Sequence, residues 1–178
     1  SAAGQGAYSQ IGMGGLVNSN GNYGLAGDRT VVIAENGIEL SGGTTSWSYA
    51  QIGHGGYQSG GSSKNHQGDI YLNYNPDTGL ATGGGEISLS GRKGSGTGAF
   101  SATYAQIGHG GRNAGGTKHG DIVIGQSDAI TLTGFGEQSY AQIGHGGNGT
   151  GPNHTASGSI ELNTSGLLQM NSGYGAEA

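Results

Sequence analysis

The sequence predicts an all-β solenoid, a parallel β-helix of about four coils with three short strands in each. Three observations point there. The phrase Tyr-Ala-Gln-Ile-Gly-His-Gly-Gly occurs at 49–56, 104–111 and 140–147, and a relaxed copy with Ser9 for Ala and Met13 for His occupies 8–15. A fixed phrase at changing intervals marks a repeat protein whose loops vary. Each copy is followed by two further short segments whose apolar residues lie two apart, the period of a strand. Glycine accounts for 43 of the 178 residues without a three-residue period, and proline occurs only at Pro76 and Pro152, which excludes a collagen triple helix.

The elements follow in order as one domain over residues 1–178, with repeats starting near Tyr8, Tyr49, Tyr104 and Tyr140. In the first repeat the opening phrase leads through a loop to a strand at 30–33, a turn at Glu35-Asn-Gly37 and a strand at 38–40. The second has the phrase at 49–56, as one strand and a corner, then strands at 69–72 and 86–89, with a longer excursion through Asn75-Pro-Asp77. The third has the phrase at 104–111 and strands at 121–124 and 130–132. The fourth has the phrase at 140–147 and strands at 159–162 and 168–170. Ile70 and Leu72 are expected to point inward and stack on Ile122 and Ile124, then on Ile160 and Leu162. Ile38 and Leu40, Ile87 and Leu89, Ile130 and Leu132, and Leu168 and Met170 form a second pair of inward ladders. In the phrase itself Ala50 and Ile52 share one parity, with Ala and Ile placed inward. Residues 173–178 resemble the approach to a fifth phrase, and the open strand edges of the first and last coils call for further coils or another copy of the chain.

Composition narrows the function classes. The formal net charge is −5 and charged residues make up 10%. Lys64, Arg92, Lys93, Arg112 and Lys118 lie among Gly and Ser rather than on an aromatic platform, which argues against nucleic-acid binding. There is no cysteine, hence no disulfide framework and no thiolate metal site. No apolar run approaches the roughly 20 residues of a membrane helix, and residues 1–15 carry no leader pattern, so the chain reads as a mature or excised piece of something longer. No pair of carboxylates recurs, no serine sits in a strained elbow and no phosphate cradle is present, so no catalytic residue, enzyme activity or cofactor is expected.

The residues that invite a chemical role are the columns that stacking would create. Tyr8, Tyr49, Tyr104 and Tyr140 would form one, Gln10, Gln51, Gln106 and Gln142 a second, and Ile11, Ile52, Ile107 and Ile143 a third. Ring stacks and amide ladders stabilise cross-strand arrays, and an exposed Tyr/Gln face would alternatively stack on sugar rings and bind their hydroxyls. His54, His109 and His145 are equivalent in the phrase, and His66, His119 and His154 precede the second strand. Such imidazoles could ligate a divalent metal or respond to pH, or form a neutral ladder bonded to turn carbonyls. Asp69 and Asp121 follow glycine, but the nine-residue calcium pattern is missing.

The repeated phrase, followed by Gly-Asp-Ile and Ile-x-Leu segments, resembles repeats of very large secreted bacterial adhesins of the filamentous-haemagglutinin type. That resemblance implies a right-handed parallel β-helix, location at the cell surface or outside the cell, and a role in adhesion or biofilm matrix. It transfers no catalytic residue. The expected function is an extracellular structural and adhesive solenoid, with end-to-end self-association or flanking repeats as partner. The alternative is a carbohydrate-binding module whose partner is a polysaccharide.

Overall fold

A computed structural model describes residues 6–15, 22–59, 64–91, 103–135, 138–149 and 154–171; the approach to a fifth phrase at 173–178 lies outside them. The described residues contain no helix, and therefore none long and apolar enough to cross a membrane. The first repeat contributes β1 (Tyr8–Ile11), β2 (Arg29–Val32) and β3 (Ile38–Ser41). The second contributes β4 (Tyr49–Ile52), β5 (Asn65–Gln67), β6 (Asp69–Leu72), β7 (Tyr74–Asn75), β8 (Leu80–Ala81) and β9 (Glu86–Gly91). The third gives β10 (Tyr104–Ile107), β11 (Thr117–His119), β12 (Ile122–Ile124) and β13 (Ala129–Gly134). The fourth gives β14 (Tyr140–Ile143), β15 (Thr155–Ser157), β16 (Ile160–Leu162) and β17 (Leu168–Asn171).

These strands form several parallel sheets in which each strand pairs with its counterpart in the neighbouring repeats. The orders are β1-β4-β10-β14, β2-β6-β12-β16 and β3-β9-β13-β17. Register follows the repeat residue for residue: Tyr8, Tyr49, Tyr104 and Tyr140 lie opposite one another, as do Thr30, Ile70, Ile122 and Ile160. A slip of one residue would turn every apolar side chain to the wrong face, so the pattern of apolar residues fixes this alignment. The hairpin β7–β8 is antiparallel and forms the excursion of the second repeat.

A fourth parallel sheet, β15-β11-β5, lies where the sequence leads one to expect only loop. Its three-residue strands, Asn-His-Gln, Thr-Lys-His and Thr-Ala-Ser, carry no apolar alternation, so main-chain pairing alone defines them. The first repeat joins through Tyr23, which bridges to His66. Each of these strands ends at a glycine, Gly68, Gly120 or Gly158, with φ of 127°, 152° and 132°. The second, third and fourth repeats therefore carry four parallel strands rather than three.

The inward residues merge into one apolar core. Ala50, Ile52, Ile70, Leu72, Ile87 and Leu89 and their partners Ala105, Ile107, Ile122, Ile124, Ile130 and Leu132 form a single cluster. Ala and Ile of the phrase thus face the same interior as the two ladders. The phrase departs from simple alternation, however, because β4 and β10 are buried on both faces. Tyr49 and Tyr104 belong to a second cluster with Tyr57, against which Trp47 and Tyr140 pack. The segment following each strand folds back over its outer side.

The corners after the phrase strands require glycine. Gly12, Gly53 and Gly108 have φ of 142°, 134° and 145°, and a Cβ on any of them would overlap the carbonyl oxygen of Gly53, Gly108 or Gly144 in the next repeat. Gly144 has φ of 147°, yet the nearest atom to an added Cβ is the Gln142 Nε2 at 3.2 Å. Gly108→Ala should therefore cost about 3 kcal/mol or more, whereas Gly144→Ala should show only the backbone strain of about 1–2 kcal/mol. Urea unfolding of the two variants measures the difference, and equal losses would contradict this stacking of corners.

Candidate functional site at the repeat junctions

The phrase residues converge on the junction between one repeat and the next. The rings of Tyr8 and Tyr49, Tyr49 and Tyr104, and Tyr104 and Tyr140 stack with centroids 5.1, 4.8 and 4.9 Å apart. His54, His109 and His145 stack in the same way at 4.9 Å per step. These spacings match the distance between neighbouring strands, so the columns follow directly from the zero-slip register.

Each glutamine reaches forward by one repeat. Gln51 Nε2 donates to the Gly108 and Gly110 carbonyls at 2.9 and 3.0 Å, and Gln106 Nε2 donates to those of Gly144 and Gly146 at 3.0 and 2.8 Å. Gln10 does the same to Gly53 and Gly55. Gln142 donates to its own repeat, at His145 O.

Each histidine reaches backward. The main-chain N–H of His54 donates to His109 Nδ1, and that of His109 donates to His145 Nδ1, both at 3.0 Å. Met13 N–H donates to His54 Nδ1 likewise. An Nδ1 that accepts an N–H carries no proton, so the proton sits on Nε2. That nitrogen faces Gly68 O at 2.6 Å in His109 and Gly120 O at 2.8 Å in His145. The column is a neutral ladder, and both ring nitrogens of His109 and His145 are occupied by main-chain partners, which leaves neither for a metal ion. Among the described residues no group of three or more His, Asp or Glu side chains is arranged to hold one.

Burial sets the protonation state. It pushes the His109 imidazole down to about 3, with the neighbouring histidines adding to the shift and the Gly68 carbonyl opposing it. Burial lowers His54 and His145 as well, with Asp28 opposing at His54 and the Gly120 carbonyl at His145. The phenols of Tyr49, Tyr104 and Tyr140 are driven upward, chiefly by burial.

Burial decides between the two readings of the Tyr and Gln columns, and register corrects one of the histidine columns. The Tyr and Gln columns are not a solvent-facing platform: Tyr49 is 2% exposed, and Tyr104, Gln51 and Gln106 are fully buried. A sugar cannot stack on them in the interior of the array. His66, His119 and His154 are not a second column either. His66 lies opposite Lys118 and Ala156 in the fourth sheet, while His119 lies opposite Gln67 and Ser157. His66 Nε2 sits 3.3 Å from Ser59 Oγ, His119 Nδ1 is 2.9 Å from Ser157 Oγ and exposed, and His154 precedes β15.

The residue that sequence reasoning missed is Lys118. Its ammonium is buried, and its three N–H groups face four acceptors, the carbonyls of Ala114, Gly115 and Gly116 at 2.8, 2.8 and 2.9 Å and His154 Nδ1 at 2.9 Å. Burial pulls it down to about 8. Together with burial, the first cause, Lys118 lowers His66 to about 4. The Gly-Asp pairs at 68–69 and 120–121 carry the signal: counting back two residues from each glycine puts His66 opposite Lys118.

Asp69 and Asp121 serve the stack as well. Asp69 Oδ1 accepts the Asp121 N–H at 2.9 Å, and Asp121 Oδ1 accepts the Ser159 N–H at 2.7 Å. No protein-family model, curated protein or solved structure matches the chain. The likeness to adhesin repeats rests on the motif residues alone.

The buried imidazoles make acid the natural denaturant. The folded protein holds His109 and His66 neutral down to about 3 and about 4, while an unfolded chain protonates them near 6.5. Unfolding therefore takes up protons, and this contribution is complete above the unfolded value and is lost as pH falls toward the folded values. The expected loss is about 1.4 kcal/mol per pH unit for each histidine within that window. Urea midpoints measured between about pH 8 and about pH 4 should fall steeply below about 6.5, and a flat profile would contradict the neutral ladder.

Proposed function

We propose that the chain is a segment of a right-handed parallel β-helix of about four coils, acting outside the cell as a structural or adhesive element. Its coils continue end to end into a filament or a longer stalk. The family resemblance supports the extracellular and adhesive part of this reading.

The observation that carries the end-to-end part is the state of the outer repeats. Among the described residues, β14, β16 and β17 pair on one side only, as do β1, β2 and β3. Ile160, Leu168 and Met170 are 49%, 42% and 74% exposed at one edge, and Tyr8 and Ile11 are 48% and 51% exposed at the other, although their counterparts in the second and third repeats are buried. A cavity of about 380 Å³, lined by Leu132, Gly134, Ala141, Met170 and Asn171, opens beside the fourth repeat. Placing the first repeat of a second copy there in the internal register sets Tyr8 on Tyr140, Gln10 on Gln142, Ile11 on Ile143 and Leu40 on Met170. Flanking repeats of a longer chain would use the same contacts.

Gly144→Ala tests this directly. Among the described residues its methyl group has no carbonyl as a nearest neighbour, but in a stacked pair it would occupy the place of the Gly12 carbonyl of the second copy. Sedimentation of the wild-type protein over a concentration series should show growing linear species, visible as filaments by electron microscopy, while Gly144→Ala should stay folded and monomeric. Wild-type protein that remains monomeric at high concentration would overturn end-to-end stacking.

A further inference from the structure

We infer that Met13 sets the strength of the joint between two copies, making it weaker than the junctions inside the chain. This rests on the end-to-end reading above and assigns the joint its determining residue.

The two junctions between the second, third and fourth repeats share one set of side-chain bonds. Between the second and third, Gln51 donates forward to the Gly108 and Gly110 carbonyls, while His109 accepts the His54 N–H on Nδ1 and faces the Gly68 carbonyl through Nε2. Between the third and fourth, Gln106 and His145 repeat these roles toward Gly144, Gly146, the His109 N–H and Gly120. The forward half of the set belongs to the earlier repeat and the backward half to the later one.

At a joint between copies the earlier repeat is the fourth and the later is the first. The forward half is intact, because Gln142 stands in the register of Gln51 and Gln106, and Gly12 and Gly14 of the second copy stand where Gly53 and Gly55 stand one repeat on. The backward half is missing. Met13 occupies the histidine position, so the joint supplies no imidazole Nδ1 for the His145 N–H and no Nε2 proton for the Gly158 carbonyl, the counterpart of Gly68 and Gly120. The thioether is at most a weak acceptor and has no proton to give. The joint also lacks the third step of the imidazole stack.

Met13→His restores both bonds at the joint. Met13 is 47% exposed at the edge, so the change opens no cavity in the core. Two further hydrogen bonds should tighten association by about tenfold or more, read as the shift in dissociation constant in analytical ultracentrifugation. Met13→Leu, of similar size without a nitrogen, should associate like the wild type. If the wild type assembles but Met13→His does not tighten, or Met13→Leu tightens as much, the role of Met13 is overturned while stacking stands. If neither the wild type nor Met13→His associates, end-to-end stacking itself fails, and this inference with it.

Discussion

A neutral imidazole filled on both nitrogens by main-chain groups is the interaction on which the rest of this stack depends. The glycine corners explain why it is needed. At Gly53 and Gly108 the chain turns through φ of 134° and 145°, and the carbonyls of Gly108 and Gly144 are taken by the amides of Gln51 and Gln106. The N–H of the residue after each corner must then find another acceptor, since a buried donor left without one costs roughly 1–3 kcal/mol. His109 Nδ1 and His145 Nδ1 supply it. Glycine, glutamine and histidine are thus one device: the corner re-aims a carbonyl, the amide answers the carbonyl, and the ring answers the stranded N–H. Removing the glutamine strands the glycine carbonyls and removing the histidine strands the N–H, which accounts for the constancy of the phrase within the chain while the loops vary.

This device lets a chain of low apolar content hold together. The apolar core is narrow, and much of what lies around it is polar and buried, including Gln51, Gln106, His66, His109 and Lys118. Their pairing is incomplete, because the amide oxygens of Gln10, Gln51 and Gln106 receive no hydrogen bond. The cost is tolerated because each repeat adds paired strands whose main-chain bonds are satisfied along the stack. Stability in such an array is a sum over junctions. The internal junctions are not equivalent: His109 and His145 meet Gly68 and Gly120 through Nε2, whereas opposite His54 the register places Asp28 in the glycine position.

The register and core were legible in the sequence because both rest on period and identity. Ile70, Ile122 and Ile160 stack because each stands in the same place after a glycine corner, and Ala50 and Ile52 point inward because their parity agrees with those ladders. The fourth sheet was not legible, since Asn65-His-Gln67 and Thr117-Lys-His119 have neither apolar alternation nor strong strand propensity and are held by main-chain pairing. Lys118 was hidden for a related reason. Counting forward from the phrase carries a loop of variable length, so His66 aligned with His119, whereas counting back from the Gly-Asp corners aligns it with Lys118. The burial of Tyr49 and Gln51 was hidden because alternation reports which side faces the shared core, and it is silent about a chain that folds back over the other side.

The same accounting separates the interior of this protein from its surface. Most of the groups that made the phrase look like a recognition motif are turned into the stack: both ring nitrogens of His109 and His145 to main-chain groups, the Nε2 groups of Gln10, Gln51 and Gln106 to glycine carbonyls, the tyrosine rings to one another. Two of the outward columns show no such recurrence. Val31, Tyr71, Val123 and Glu161 share one column, and Glu39, Ser88, Thr131 and Gln169 share another. A ligand that reads a periodic surface, such as ice or a crystalline polymer, needs the same side chain at each step, and these columns change theirs at almost every one. On the proposed reading, an invariant interior with a varied exterior suits a spacer or scaffold, in which each unit must fit the next. The recurrence within the chain lies in the residues that join one repeat to its neighbour.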